Sequence, residues 1–128
     1  MRKNKRIRFT DNFKKTHPRN EGEFLYHPDK SGGHPVLVLK SNPINDKYYV
    51  ASFSSKKRRD RIRLKHNIDP NISIDQYVNK KPSVYSYKQI LFNKKYSNYR
   101  IHHDDKKTIN KIKSKIKMWR AGGVLKNY

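Results

Sequence analysis

The sequence predicts one small domain that is mainly β and is closed by a C-terminal helix. Short runs rich in β-branched and aromatic residues follow one another from Phe24 and are separated by Gly, Pro, Asn and Asp. An amphipathic pattern with the helical period follows near the C-terminus. The chain has 128 residues, which is enough for one domain with one modest core.

The chain is predicted to divide into a basic N-terminal arm and a folded domain. Residues 1–21 hold many charges and few apolar residues, with no sustained period, so we expect an arm that is flexible or draped over the domain. The domain is predicted to span residues 22–128.

The strand predictions rest on six runs. The first three are FLYH, PVLVLKS and KYYVASFSS, which begin at Phe24, Pro35 and Lys47. The VLVL stretch is apolar without alternation, which predicts a central strand that is covered on both faces or crosses a small barrel. RIRLKH, SVYSYKQI and NYRIHH complete the set. Together these runs predict a small β-barrel or curled sheet.

The helix is predicted from Asp104 to about Arg120. Its apolar positions recur every three or four residues, while lysines fill the other face. These apolar positions are Ile109, Ile112, Ile116 and Trp119. The carboxylates of Asp104 and Asp105 suit the N-terminal end of a helix dipole.

The charge of the chain predicts a polyanionic partner. Lys and Arg number 32 against 10 Asp and Glu, giving a net charge of +22 and a pI near 10.3. Nucleic acid, an anionic membrane and an acidic protein would each offset this charge. No window is apolar enough for a membrane span. The nine Tyr and five Phe favour a folded domain whose rings can also stack on bases, so we expect nucleic acid, above all RNA.

The compartment is predicted to be the cytoplasm. The chain has no Cys, which excludes disulfides, a thiolate zinc site and a cysteine nucleophile. Its first residues are basic but lack the apolar core of a signal peptide.

Five motifs, in matching order over about residues 22–118, carry a resemblance to a known family. They are GEFLY from Gly22, GGHPVLVL from Gly32, VASFSS from Val50, PSVYSYKQI from Pro82 and IHHDDKKTINKIKSKI from Ile101. This arrangement resembles the PemK/MazF family of toxin endoribonucleases. The segment SFSSKKRR also resembles the strand end of the related ToxN-type group, in which basic residues follow Thr-Ser.

The resemblance implies an SH3-like barrel with a terminal helix, often dimeric, that cleaves single-stranded RNA without a metal or other cofactor. Such enzymes leave 2′,3′-cyclic phosphate and 5′-OH ends. They belong to toxin–antitoxin or phage-defence systems and are neutralised by an antitoxin, which here would be an acidic protein or an RNA. The family's catalytic Arg falls on His34, and its hydroxyl residue on Ser54, with Ser55 beside it.

These residue types suit the chemistry that the resemblance implies. RNA cleavage without a metal needs a base, an acid and cationic groups around the phosphate. An imidazole at His34 can transfer a proton where a guanidinium stabilises charge. A structural role is the alternative: His34 would cap the turn or bind phosphate, and Ser54 would satisfy backbone groups at a strand end.

A run of cations directly after the third predicted strand indicates phosphate binding. Its members are Lys56, Lys57, Arg58, Arg59, Arg61 and Arg63. A solvated face is the alternative for such a run.

Two further patterns receive a structural interpretation. His102 and His103 precede two Asp, but neighbours on a strand point to opposite faces, so we predict no metal site. The pairs Tyr48 with Tyr49 and Tyr85 with Tyr87 belong either to the core or to base stacking, and we expect only one of Tyr48 and Tyr49 to face inward.

The sequence therefore predicts an RNA-cleaving toxin-like enzyme. A non-catalytic basic RNA-binding protein, such as a ribosome-associated factor, suits the charge equally well. A third alternative is a degenerate family member retained for protein binding.

Overall fold

The structure, a computed structural model, describes residues 19–29 and 32–122, with the backbone alone from 117 onward. It confirms a mainly β domain with one C-terminal helix. The strands are β1 (Phe24–His27), β2 (His34–Asn42), β3 (Lys47–Ser54), β4 (Arg61–Arg63), β5 (Tyr77–Asn79) and β6 (Ser83–Tyr85), and the helix is α1 (Lys106–Gly122). Three short 3-10 helices lie at Tyr87–Gln89, Lys94–Tyr96 and His103–Asp105.

All strand pairs are antiparallel and follow the order β1-β2-β3-β5-β4. The long strand β3 has two neighbours on its second side, because Tyr48 to Val50 pair with β6 whereas Phe53 and Ser54 pair with β5. Among the residues that the structure describes, no strand pairing closes this sheet into a barrel.

The VLVL stretch forms the buried part of β2, as predicted, and both of its faces are covered. Val36 and Val38 belong to a core cluster with Leu25, Tyr48 and Ile90. Leu37 and Leu39 point the other way, into a larger cluster that contains three isoleucines of α1. A strand that is buried on both faces has no need of polar alternation, which explains the continuous apolar run.

The expectation that only one of Tyr48 and Tyr49 faces inward is wrong. Both side chains are buried, Tyr48 in the cluster away from α1 and Tyr49 in the cluster beneath it. They point to opposite faces, as neighbours on a strand must, but each face of this sheet carries a core.

Three of the smaller strand predictions need correction. NYRIHH is not a strand, and SVYSYKQI is one only at its start, since a 3-10 helix begins at Tyr87. RIRLKH ends as a strand at Arg63. Strand β5 was not predicted, because DQYVNKK offers only two β-favouring residues and its pairing with β3 and β4 is distant in sequence.

The apolar face of α1 packs as predicted. Ile109, Ile112 and Ile116 are all buried against the sheet. The prediction for the Trp119 side chain lies outside the described residues. The α-helix itself begins at Lys106, after the short 3-10 helix that contains Asp104 and Asp105. No helix in the described part of the chain is long and apolar enough to cross a bilayer.

Most of the predicted arm, residues 1–18, also lies outside the described residues. Its described end contacts the domain: the Arg19 guanidinium lies 4.0 Å from the centroid of the Tyr87 ring. The Gly22 amide then donates to the Val38 carbonyl at 2.8 Å, which places the chain beside β2 before β1 begins.

Asp105 joins the start of α1 to the segment that follows β4. Its carboxylate, only 2% exposed, accepts the amide hydrogens of Lys65 at 2.8 Å and His66 at 2.9 Å. The carboxylate therefore anchors the start of the helix to the segment directly after β4, which is a different role from the predicted interaction with the helix dipole.

Replacing Asp105 by Asn should destabilise the fold, because an amide offers only one acceptor oxygen to two backbone donors. We expect a loss of about 1.5–3 kcal/mol, the range for hydrogen bonds to a charged group. Urea unfolding measures this loss. Asp104→Asn is the matched control, since the neighbouring Asp104 side chain is exposed and should cost much less. Equal losses in the two variants would contradict the anchoring role.

Candidate functional site

The site begins at the turn between β1 and β2, where a tyrosine and two glycines are in close contact. The Tyr26 hydroxyl donates to the Gly32 carbonyl. Gly33 has a φ of +106°, and a Cβ placed there would lie 2.5 Å from the Tyr26 ring. Only glycine tolerates both conditions at once, so the Gly-Gly pair is explained by local geometry.

Asp29 links this turn to His34. One carboxylate oxygen of Asp29 accepts the Gly33 amide hydrogen at 3.1 Å. The other lies 2.7 Å from Nε2 of His34, the first residue of β2. Both side chains are about one-third exposed, at 34% for His34 and 30% for Asp29. The carboxylate thus orients an imidazole that remains accessible to solvent.

His34 lines a cavity of about 390 Å³, here called the basic cavity. The other lining residues come from the end of β3, the segment after it, β4, and the loops around residues 72–76 and 95–99. Its cationic members are Lys56, Arg58, Arg61 and Lys95. None of the described residues that line the basic cavity is Asp or Glu, so the cavity suits an anion such as a phosphate group.

The structure brings six of the nine predicted site residues together around the basic cavity. These six are His34, Ser54, Ser55, Lys56, Arg58 and Arg61. They meet because the register that pairs Val36 with Ser52 brings the start of β2 beside the end of β3. Lys57, Arg59 and Arg63 do not line it. The side chain of Arg63 is 67% exposed and lies 3.7 Å from the Asp75 carboxylate.

Arg61 is the most firmly held cation of the basic cavity. Its Nε donates to Oδ1 of Asn79 at 2.9 Å, and a terminal nitrogen donates to the Lys56 carbonyl at 2.8 Å. A guanidinium with two donors held in this way keeps other donors for a ligand. Ser54 Oγ accepts the Lys56 amide hydrogen at 3.2 Å, so its own O–H can still donate.

Two tyrosines that line the basic cavity were not predicted. Tyr96 and Tyr99 line it with ring centroids 4.6 Å apart. The Tyr99 hydroxyl donates to Asp69 at 3.2 Å, and burial, together with the Asp69 charge, raises the pKa of Tyr99 to about 12. Burial also raises the pKa of Tyr96. Both phenols therefore stay protonated at neutral pH and serve as walls rather than as bases.

A smaller cavity of about 190 Å³ shares the lining residues His34, Phe53 and Arg61 with the basic cavity. His27, Asp29, Ser52 and Tyr85 are among its lining residues. Ser52 Oγ is buried and has no hydrogen-bond partner among the described residues, so a donor and an acceptor are available to a ligand there.

His27 is a candidate functional residue that sequence reasoning missed. It lies directly across from His34 in the pairing of β1 with β2, so the two imidazoles share one face. Its ring stacks on Tyr85 with centroids 4.1 Å apart. Burial lowers the pKa of His27 from its ordinary value of 6.5, while the Asp29 charge opposes this and His34 adds to it. His27 is therefore neutral at pH 7.

The sequence signals that could have identified the functional residues missed above differ in strength. Asp29 stands four residues before Gly33, a spacing that fits an Asp closing a turn. His27 ends the first predicted strand, but its partner across the sheet depends on a register that the sequence leaves open. Lys95, Tyr96 and Tyr99 lie in a polar loop with no motif, and only the tertiary fold places them here.

A substitution of Gly33 by Ala tests the turn that positions Asp29 and His34. Gly32→Ala is the matched control, since Gly32 has nearly the same φ of +108° but no atom within 4 Å of an added Cβ. Both variants carry the backbone strain of about 1–2 kcal/mol. Gly33→Ala should cost about 1–3 kcal/mol more, the range for overpacking, because of Tyr26. Equal urea midpoints for the two variants would show that the Tyr26 ring accommodates the added methyl group at no cost in stability.

No protein-family model, no curated protein and no solved structure matches this chain.

Proposed function

We propose that this protein is a metal-independent endoribonuclease of the PemK/MazF-like toxin kind, including the ToxN-type group. It cleaves single-stranded RNA to 2′,3′-cyclic phosphate and 5′-OH ends. The observation that carries the proposal is the His34 imidazole, held 2.7 Å from Asp29 at the edge of a cavity whose lining, over the described part of the chain, has cations and hydroxyls but no carboxylate.

The reaction requires two proton transfers at one phosphate. The 2′-oxygen forms a bond to phosphorus while the bond from phosphorus to the 5′-oxygen breaks. A base takes the proton of the 2′-hydroxyl, and an acid gives one to the departing 5′-oxygen. Cations stabilise the negative charge that develops on the phosphate oxygens.

The two histidines match these two roles. His27 has a lowered pKa and is neutral at pH 7, which suits the base. His34 has a carboxylate oxygen of Asp29 2.7 Å from Nε2, which orients its ring and suits it to the role of the acid. After one turnover the protons are exchanged between the rings, and water restores the starting state.

Arg61 is the charge-stabilising group of the proposal. It lines both cavities, as His34 does, and its hydrogen bonds to Asn79 and to Lys56 hold it in place before substrate arrives. A preorganised cation stabilises a transition state without reorganisation at the moment of reaction. The Ser54 and Ser55 hydroxyls supply further donors, and Lys56 and Arg58 bind flanking phosphates.

We also propose that the fold is a distorted SH3-like barrel. The support is β3, which pairs with β6 through Tyr48 to Val50 and with β5 through Phe53 and Ser54. A strand that changes its neighbour in this way lets the sheet bend between the two, as barrel corners require.

The biological setting is proposed from the charge and the resemblance. A protein of net charge +22 needs a polyanion nearby, and an antitoxin, either an acidic protein or an RNA, would fill that need in the cytoplasm. A homodimer is part of the same proposal. An antitoxin would be expected to cover the basic cavity, because its cations are the groups that a competing anion binds best.

A non-catalytic RNA-binding protein is the second candidate, and the outer face of α1 favours it. That face carries exposed lysines at Lys106, Lys107, Lys111 and Lys113, away from the basic cavity. Such a row binds phosphates without any catalysis. The cleavage assay separates the two candidates.

Cleavage should be measured on a labelled single-stranded RNA in EDTA, at saturating RNA so that chemistry is separated from binding. We expect discrete fragments that end in 2′,3′-cyclic phosphate. His34→Ala should lower the rate by roughly 10²–10⁴-fold, the range for a general acid or base. Asp29→Asn should lower it by a smaller factor, while the control Asp75→Asn, an exposed carboxylate outside the cavities, should leave it unchanged. Tightly bound but intact RNA would favour the second candidate.

The pH dependence tests the role of His27 as the base. Its neutral form is the active one, and its pKa lies below 6.5, so the limb of the kcat/KM profile that rises with pH should have its midpoint below 6.5. The Asp29 charge opposes the lowering of this pKa and His34 adds to it, but neither reverses its sign. His27→Ala should remove this rising limb.

A substrate with an activated leaving group separates base from acid. A 4-nitrophenyl ester of a nucleoside 3′-phosphate releases a phenolate that needs no proton. His34→Ala should therefore cleave it almost as fast as the wild type, whereas His27→Ala should stay slow. The reverse pattern would mean that His34 is the base and His27 the acid. Equal losses of rate in the two variants would mean that neither histidine has its proposed role.

A further inference from the structure

A second cluster of chemically active side chains lies at the start of α1. Three of the six histidines of the chain meet there around Asp104. His66 comes from the segment after β4, while His102 and His103 directly precede Asp104. The rings of His66 and His102 are stacked with centroids 3.6 Å apart, and those of His102 and His103 lie 4.2 Å apart.

The donor atoms of this cluster converge. His66 Nε2 lies 2.9 Å from Oδ2 of Asp104, and His102 Nδ1 lies 3.5 Å from the same oxygen. All three atoms lie within 4.8 Å of one another. Donors that share a tetrahedral zinc ion at about 2.0–2.1 Å lie about 3.3 Å apart, so the spacing needs little change to enclose an ion.

The cluster is held in place from both sides. Asp105 binds the backbone amides of Lys65 and His66, which fixes His66 relative to the helix that carries Asp104. His103 Nε2 lies 3.1 Å from the other oxygen of Asp104 and orients the carboxylate. Such outer partners are what metal-binding carboxylates usually have.

We propose that His66 Nε2, His102 Nδ1 and Asp104 Oδ2 bind a divalent transition-metal ion of the Zn²⁺ class. Two imidazoles and one carboxylate are ligands that such ions prefer, whereas Mg²⁺ and Ca²⁺ prefer oxygen alone. A cavity of about 550 Å³ adjoins the two proposed imidazole ligands, since His66 and His102 line it together with His103 and Arg100.

Binding has one competitor within the chain. His102 Nδ1 accepts the Asp104 amide hydrogen at 3.1 Å, and the same lone pair must turn to the ion. The ion therefore replaces a helix cap with a bond between two segments that are distant in sequence. A site of this kind stabilises the folded state when the metal is present. It takes no part in the proposed RNA cleavage, which is assayed in EDTA.

The test uses the full-length protein, freed of metal by a chelator, and titrates it with Zn²⁺ by calorimetry and with Co²⁺ by absorption. We expect one ion per chain at this site, a strong visible Co²⁺ band of the tetrahedral type and a thermal midpoint that rises with Zn²⁺. His66→Ala and His102→Ala should each weaken binding by roughly 10–100-fold or more and abolish the rise in midpoint. His27→Ala, a histidine outside the cluster, is the control and should bind as the wild type does.

Two results would overturn the proposal. One is the absence of saturable Zn²⁺ uptake by the wild type, which would leave the cluster as a helix cap only. The other is equal uptake by the wild type and by His66→Ala, which would place the ion elsewhere. Asp104→Asn guards against a misfolded variant, since it keeps the shape of the side chain and removes one ligand charge; binding that survives it unchanged would also refute the assignment. Circular dichroism confirms that each variant is folded.

Discussion

The pairing of β2 with β3 is the constraint on which the rest of the structure depends. Both strands are buried on both faces, and each fully buried Val or Leu contributes about 1.5–3 kcal/mol relative to exposure. A slip of one residue would exchange the two cores, which differ in their partners, so the register is strongly specified. That register brings the start of β2 next to the end of β3. His34 and Ser54 therefore meet because the core requires it.

Much of the fold could be predicted from local patterns. The runs at FLYH, VLVL and YYVASFS are apolar enough to be strands in any context, and the isoleucines of α1 recur with a period that only a helix explains. The prediction failed where a strand, or the burial of a side chain, depends on partners that are distant in sequence. Strand β5 is three residues long and exists because β3 and β4 lie on either side of it. Tyr48 and Tyr49 are both buried because a second core covers the second face, which one strand cannot reveal.

The candidate site likewise contains some residues that the sequence identifies and others that it does not. Residues that follow a strong strand or a Gly-Gly turn, such as His34, Ser54 and Arg61, could be named from the sequence, and the structure places them around one cavity. Partners brought by register or by a loop could not be named: His27 across the sheet, and Tyr96 from a polar segment. His66 was overlooked for a similar reason. It lies 38 residues before Asp104 in sequence, whereas the pattern at His102 and His103 shows only neighbours that a strand would point apart.

The anchoring of Asp105 has a consequence for the order in which the chain assembles. Strands β2 and β3 are joined by the short turn between Asn42 and Lys47, so this hairpin closes a small loop. The bonds from Asp105 to the amides of Lys65 and His66 close loops of 40 and 39 residues. Closing a longer loop costs more chain entropy, and the cost is recovered only when Ile109 and its neighbours reach a surface that already exists. The half of the basic cavity built on β2 and β3 can therefore form early, whereas the docking of α1, and the histidine cluster with it, belongs to the last stage of folding.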